Sequence, residues 1–380
     1  MICFVMVALA FIDGILGVFL PQIKPELGIN DTQASAIFVV NLRGFCVFTS
    51  IGGPLCDKIG SRKSFFLLLG TLLLFCLAML CAHTYARLIL LSFILYCALA
   101  ALTVTVNSFI PSLFTTSQAF FMSFFHLVNY GGIALSKTTA GLLIRHNVNW
   151  RFIYLIIAAI LIICLGLWHF SFFPAPVVPD TEKKPERTLP LKHIFSTAFF
   201  LYVAAVGGYL SSVTAMHNWF VNYAVISFHM NIAKASSVFS LFFIFSALGS
   251  VFLARFIKRV GEFKIVFLLS FAAFFLFLLG LLWRQTGLYL IALCGFFLSV
   301  TYPTTLVNIH TSFHLRPCFM LGLIVTAGSA INLIFTFVLG IANDVFGAHA
   351  SFYLVPLGLL VFSVSSFFIY LRQNTSLSEN

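Results

Sequence analysis

Gly53-Pro-Leu-Cys-Asp57-Lys58-Ile-Gly60-Ser-Arg62-Lys63 interrupts a long apolar region with one carboxylate, three cations and two glycines. On either side the chain is apolar, over roughly residues 33–56 before it and 64–82 after it, each run long enough to cross a bilayer. A short basic loop between two such runs marks a turn at the cytoplasmic surface, because Lys and Arg resist translocation. Gly53 allows close approach of a neighbouring helix, and Gly60 permits a tight turn into the next one. Asp57 can accept hydrogen bonds from backbone N–H groups at a helix start, where the helix dipole favours an anion. Lys58, Arg62 and Lys63 hold the loop in the cytosol.

Working outward, the same alternation fills the chain. Of its 380 residues, 61% are hydrophobic and only 8% charged. A soluble domain needs roughly a quarter of its residues charged to cover its surface. Twelve spans of roughly 20 residues need about 240 apolar positions, and 61% of 380 is about 232. Apolar runs fall near 1–21, 33–56, 64–82, 86–110, 118–144 and 150–173, then near 194–225, 233–256, 264–283, 286–309, 318–341 and 350–371. The fold class is therefore an all-α integral membrane protein of twelve transmembrane helices. Two six-helix bundles, 1–173 and 194–380, flank a cytoplasmic linker at 174–193 that is rich in Pro and charge, and a short cytoplasmic tail ends the second bundle. The first run lacks a basic preceding region and a small-residue cleavage site and contains Asp13, so it reads as the first span rather than a signal peptide.

The net charge of +11 comes from those loops and does not point to nucleic acid. With the N-terminus inside, thirteen Lys and Arg lie in cytoplasmic loops and six on the opposite side, with Arg43 and Lys137 inside spans. This bias places both termini in the cytoplasm of a multi-pass cell-membrane protein. The nine cysteines show no C-x-x-C spacing and read as packing residues. An internal repeat is visible as well. The stretch Gly53 to Gly60 recurs 201 residues later as Ala254-Arg-Phe-Ile-Lys258-Arg259-Val-Gly261, with small, large apolar, basic and glycine positions in register. Repeated halves around a central site are how many carriers alternate access.

The stretch from Gly53 to Lys63 resembles the signature loop of the major facilitator superfamily. Other stretches are similar to its sugar-permease branch, the fucose-permease-like group: Phe11-Ile-Asp13-Gly14, Val106-Asn107-Ser108-Phe109, His126 with Gly131-Gly132, Trp150-Arg151, Trp219-x-x-x-Tyr223, Ser299-x-x-Tyr302-Pro303-Thr304 and Gly340-x-x-Asn343-Asp344-x-x-Gly347. The resemblance implies a secondary carrier that moves a small polar solute (sugar, sugar acid or organic anion) by symport with a proton through alternating access. An efflux carrier for drugs or metabolites is the alternative, with a channel or receptor a more remote one; a channel would lack the repeated halves. The sequence departs from the branch at Thr103, where an acid often stands, at Lys137, where Pro is frequent, and at Lys258, where the second signature loop would carry Asp.

Asp13 is the one carboxylate deep in a span, where an ionised group costs several kcal/mol and so faces a cavity or a partner. Arg43 and Lys137 are the only deep cations. Counted from the outer ends of their helices, all three lie roughly 12–15 Å deep, and family packing sets the fifth span beside the first. A shared polar cluster with a formal +1 charge is expected, which an anionic solute would offset; Lys137 snorkelling outward is the alternative for the cluster, and a neutral hexose the alternative solute. Asn218, Trp219 and Asn222 share one side of the seventh span, either as an aromatic and amide platform for a sugar or as an interfacial belt. Asn107, His126 and Tyr302, the last beside the helix-breaking Pro303, complete the expected substrate and coupling set. No phosphate loop, catalytic triad or metal-spaced cluster occurs, so neither an enzyme, a cofactor nor a metal site is expected. The expected partners are a small-molecule substrate, a co-transported proton and the lipid bilayer, with the chain acting as a monomer. Asp57 is expected to latch the cytoplasmic side of the carrier in its outward-open state. Asp57→Asn should then lose most transport while still inserting into membranes; a variant that transports at the wild-type rate would exclude the latch.

Overall fold

The computed structural model describes residues 2–59, 61–113, 118–169, 195–313 and 317–378, and those residues are helices and short connections without a strand. The helices are α1 (Ile2–Ile12), α2 (Ile15–Leu27), α3 (Asp31–Ile59), α4 (Ser61–Ala78), α5 (Tyr85–Leu113), α6 (Gln118–Arg145) and α7 (Ile153–His169). They continue as α8 (Thr197–Phe228), α9 (Ile232–Val260), α10 (Glu262–Leu282), α11 (Arg284–Leu298), α12 (Thr301–Ser312), α13 (Pro317–Ser351) and α14 (Val355–Ser378). Nine stretches of the described residues are long and apolar enough to cross a membrane. One of them, Met320–Gln373, holds two spans parted near Gly347, where φ is 80°. The 29-residue α3 and 28-residue α6 supply two more. The twelve spans required by the composition are present, the first built from α1 plus α2 and the tenth from α11 plus α12.

Lipid explains this architecture. A bilayer core offers no water to backbone N–H and C=O groups, so each span must satisfy them internally, and a helix does so within itself. Large apolar side chains then face outward without cost. Ile334 is 67% exposed and Phe346 72%, a pattern that would be an aggregation hazard in water. The repeat seen in the sequence has a structural counterpart at its second copy. Gly261 joins α9 to α10 with φ 95°, a conformation that side-chain-bearing residues rarely adopt. Its first-copy equivalent, Gly60, lies outside the described residues.

The chain forms two compact units. The first comprises Met1–Val177 with Asn218–Phe243 and Gly340–His349; the second comprises Val178–His217, Ile244–Leu339 and Ala350–Asn380. In the first unit α6 runs along α1. Asn129 Nδ2 donates to Met6 O, and Ser136 Oγ donates to Phe11 O. A Cβ on Gly132 would come within 2.8 Å of the Ala10 Cβ, so only glycine allows this helix separation. Spacings of three, four and seven keep these groups on one face of α6. At one end of the unit, Arg151 is 5% exposed. It pairs with Glu26 at 2.5 Å and donates twice to Ala82 O, while the Trp150 indole donates to the same Glu26 carboxylate. One guanidinium thus joins the ends of three spans.

In the second unit the Tyr202 hydroxyl donates to Asn308 O and contacts the Ser312 hydroxyl at 2.8 Å, tying α8 to α12. Asn308 Nδ2 in turn donates to Glu262 O at the start of α10. Close packing of α8 on α13 occurs at Gly328, where a Cβ would meet Val206.

Candidate functional site

The first span breaks where its carboxylate lies. α1 ends at Ile12, α2 begins at Ile15, and Gly14 between them is left-handed with φ 63° and ψ 13°. Breaking a helix strands backbone groups that water cannot reach inside a membrane. Two side chains bond the backbone at the break. The Gly14 N–H donates to the Tyr96 hydroxyl at 3.1 Å. Lys137 Nζ donates to Gly14 O at 2.6 Å and to Asp13 O at 3.2 Å.

Asp13 and Lys137 are therefore brought together, but through main-chain oxygens. Among the described residues no ion pair joins the Asp13 carboxylate to the ammonium. Lys137 has no exposed surface. Arg43, the third member of the expected cluster, is exposed on α3 and does not reach the wall of the cavity beside Asp13. That cavity measures about 120 Å³ and is lined by Asp13, Thr103 and Asn129, with Met6, Phe45 and Leu99 as an apolar wall. It has room for several waters and polar groups to hold them. Thr103 faces the same space as Asp13, while its hydroxyl donates to Leu99 O. A threonine there supplies a hydrogen-bonding group that does not titrate near neutral pH.

Asn107 stands one helical turn beyond Thr103 on α5 and His126 stands on α6; their side chains lie outside the described residues, as do those of Gly53, Asp57 and Lys58 at the end of α3. Arg62 and Lys63 are exposed in the first turn of α4. Asn218, Trp219 and Asn222 belong to the first unit and are buried. Trp219 meets the Phe38 ring edge-on at 5.8 Å. Neither the Asn222 amide nor the Trp219 Nε1 has a hydrogen-bond partner among the described residues. Unpartnered buried amides are costly, and such a group marks a place for water or a solute. Tyr302 belongs to the second unit, where it stacks on Tyr209 at 4.9 Å and an interplanar angle of 12°.

A second set of contacts ties late segments of the chain to early ones within the first unit. The Asp344 carboxylate accepts from the N–H of Asp31 at 2.8 Å, the N–H of Thr32 at 2.7 Å and the Thr32 hydroxyl at 2.5 Å. It caps the N-terminus of α3, where unsatisfied N–H groups and the helix dipole both favour an anion. Lys24 pairs with Asp31 beside it at 2.5 Å. Gly340 lies so close to Ser35 that a Cβ would collide with the serine side chain, and a Cβ on Gly141 would sit 3.0 Å from Ala233 O. Nothing in the sequence paired these residues. Asp344 stood in the sequence as part of the Gly340 to Gly347 stretch, but its partners are more than 300 positions away.

A helix cap contributes about 1 kcal/mol, or about a fivefold change in a two-state balance. Asp344→Ala should therefore loosen this end of the unit. With the exposed Cys81 replaced, a cysteine in place of Asn218 should react about fivefold faster with an aqueous maleimide in the Asp344→Ala background. Equal reaction rates in the two backgrounds would show that the cap does not hold this end of the unit together.

The sequence matches the family described as Major Facilitator Superfamily over residues 2–320. A hexuronate transporter of Bacillus subtilis is 25% identical over 223 residues, covering 55% of this chain and 52% of that protein. The chain thus matches about half the length of that relative. Among solved structures, the E. coli fucose:proton symporter superposes with a TM-score of 0.66 at 18% identity, covering 97% of both chains. A D-xylose–proton symporter gives 0.75 at 9% identity, covering 97% of this chain and 96% of the other. A nucleoside transporter gives 0.73 at 14% identity, covering 97% of this chain and all of the other. At these identities the structures attest the fold.

Proposed function

We infer the function from the family: the chain belongs to the Major Facilitator Superfamily, and we read it as a secondary carrier that moves a small acidic sugar together with a proton. The observation that carries this reading is Asp13, a carboxylate at the break of the first span beside a small polar cavity. An ionisable group inside a span is a functional position by default, and a carboxyl can carry a proton. Thr103 stands across the cavity where a second acid would otherwise serve. Asp13 then takes and returns the proton alone, with its carboxyl alternately neutral and charged as the cavity changes sides.

Arg43 supports an anionic solute. It is exposed midway along α3 and, among the described residues, forms no ion pair. A guanidinium so placed is suited to bidentate recognition of a carboxylate. The Bacillus subtilis relative, a hexuronate transporter, points the same way. The unpartnered Asn222 amide supports a hydroxyl-bearing ligand. On the thirteen-to-six basic bias both termini are cytoplasmic. The end held by Asp344 and Lys24 is then the outer one.

Uptake into proteoliposomes tests the reading, with D-glucuronate, D-galacturonate, L-fucose and D-xylose as solutes and internal pH recorded. An imposed proton gradient should drive accumulation of the two hexuronates. Arg43→Gln should raise their KM about tenfold, the effect of losing one charged hydrogen bond of roughly 1.5 kcal/mol. Asp13→Asn should abolish gradient-driven accumulation while leaving exchange of solute down its own gradient. Accumulation that survives Asp13→Asn would make Asp13 structural. Uptake of the neutral sugars alone would overturn the acidic-sugar reading.

A further inference from the structure

Lys137 is a fully buried ammonium in the middle of a membrane span, which costs several kcal/mol unless its donors are met. Its contacts account for it. Two donors go to the main-chain oxygens of Asp13 and Gly14. Another face of the ammonium looks toward the Phe239 ring, 5.6 Å from its centroid, within the range of a cation–π contact. The oxygens belong to the two residues between α1 and α2, Gly14 being the N-cap of α2. Asp13 follows directly on the C-terminal end of α1, where the helix dipole is negative. Unwound carbonyls at the C-terminal end of a half-helix are also how carriers coordinate monovalent cations. The expected role of Lys137 as the charge partner of the Asp13 carboxylate explains none of these oxygen contacts.

We propose that the break in the first span is a monovalent-cation site, formed by the main-chain oxygens of Asp13 and Gly14 with the Phe239 face, and that Lys137 fills it with a tethered ammonium. The chain carries its own cation where an ion-coupled carrier would bind one from solution. Two consequences follow. The intact protein gains nothing from added sodium at this position. Shortening the side chain empties the coordination shell without removing the oxygens, so a small cation can take the vacant place. A variant whose side chain fills the volume without charge leaves no room for one. The inference does not depend on which solute is carried or on proton coupling.

Thermal unfolding of the purified full-length protein tests it, in choline, sodium and methylammonium chloride at equal ionic strength. Lys137→Ala and Lys137→Ser should melt lower than wild type in choline and recover by about 2–4 °C in sodium or methylammonium. Wild type and Lys137→Met should melt at the same temperature in all three salts. Small-side-chain variants that respond no more than wild type would overturn the proposal, as would a Lys137→Met variant that responds as strongly as Lys137→Ala. Should both small variants unfold on extraction in choline, extraction in methylammonium chloride should recover them folded; failure to do so there, and in sodium, would equally count against the site.

Discussion

A helix broken inside a bilayer has to find partners for its stranded backbone groups within the protein, and the first span meets that demand at Asp13 and Gly14. The Gly14 N–H goes to Tyr96 on α5, and the two carbonyls go to Lys137 on α6. Both neighbouring helices are thereby fixed in register against the first span. Register of α6 then sets the remaining contacts along that seam, from Asn129 at Met6 through Gly132 at Ala10 to Ser136 at Phe11. The cavity beside Asp13 follows, because Asn129 and Thr103 come from the same two helices.

The closure at the far end of this unit relies on the same economy of side chain to backbone contact. Asp344 satisfies two N–H groups and a hydroxyl at the start of α3, and glycines at 340 and 141 let backbones come together. Small residues at helix contacts are what lipid-embedded proteins use where burial of apolar surface gives no net gain. A cap worth about 1 kcal/mol is a contact that can be broken at modest cost. That property suits an element which must change state in every transport cycle.

Much of the fold was legible in the sequence because lipid imposes a simple rule: runs of about twenty apolar residues, separated by polar punctuation. The repeat ending in Gly60 and Gly261 was readable for the same reason, and the left-handed φ of Gly261 shows the turn that the pattern demanded. Depth was readable too, since Asp13 and Lys137 do meet. What Lys137 binds was not, because main-chain carbonyls carry no residue code and the break that exposes them depends on Gly14 adopting φ 63°. The direction of Arg43 was likewise hidden. Helical spacing gives a height along the span but not the face when apolar residues surround the helix on all sides. Tyr96 and the pairing of Asp344 with α3 are long-range contacts that no local pattern encodes.

The main chain of the first span is held by the Lys137 ammonium and Tyr96, and not by a salt bridge from the Asp13 carboxylate. Hydrogen–deuterium exchange of the amides between residues 9 and 18 tests this most directly, compared across wild type, Lys137→Met and Asp13→Asn. Removing the ammonium should speed exchange in this segment by about tenfold or more, while Asp13→Asn should leave its protection at the wild-type level. Equal loosening in the two variants, or full protection in Lys137→Met, would contradict the account.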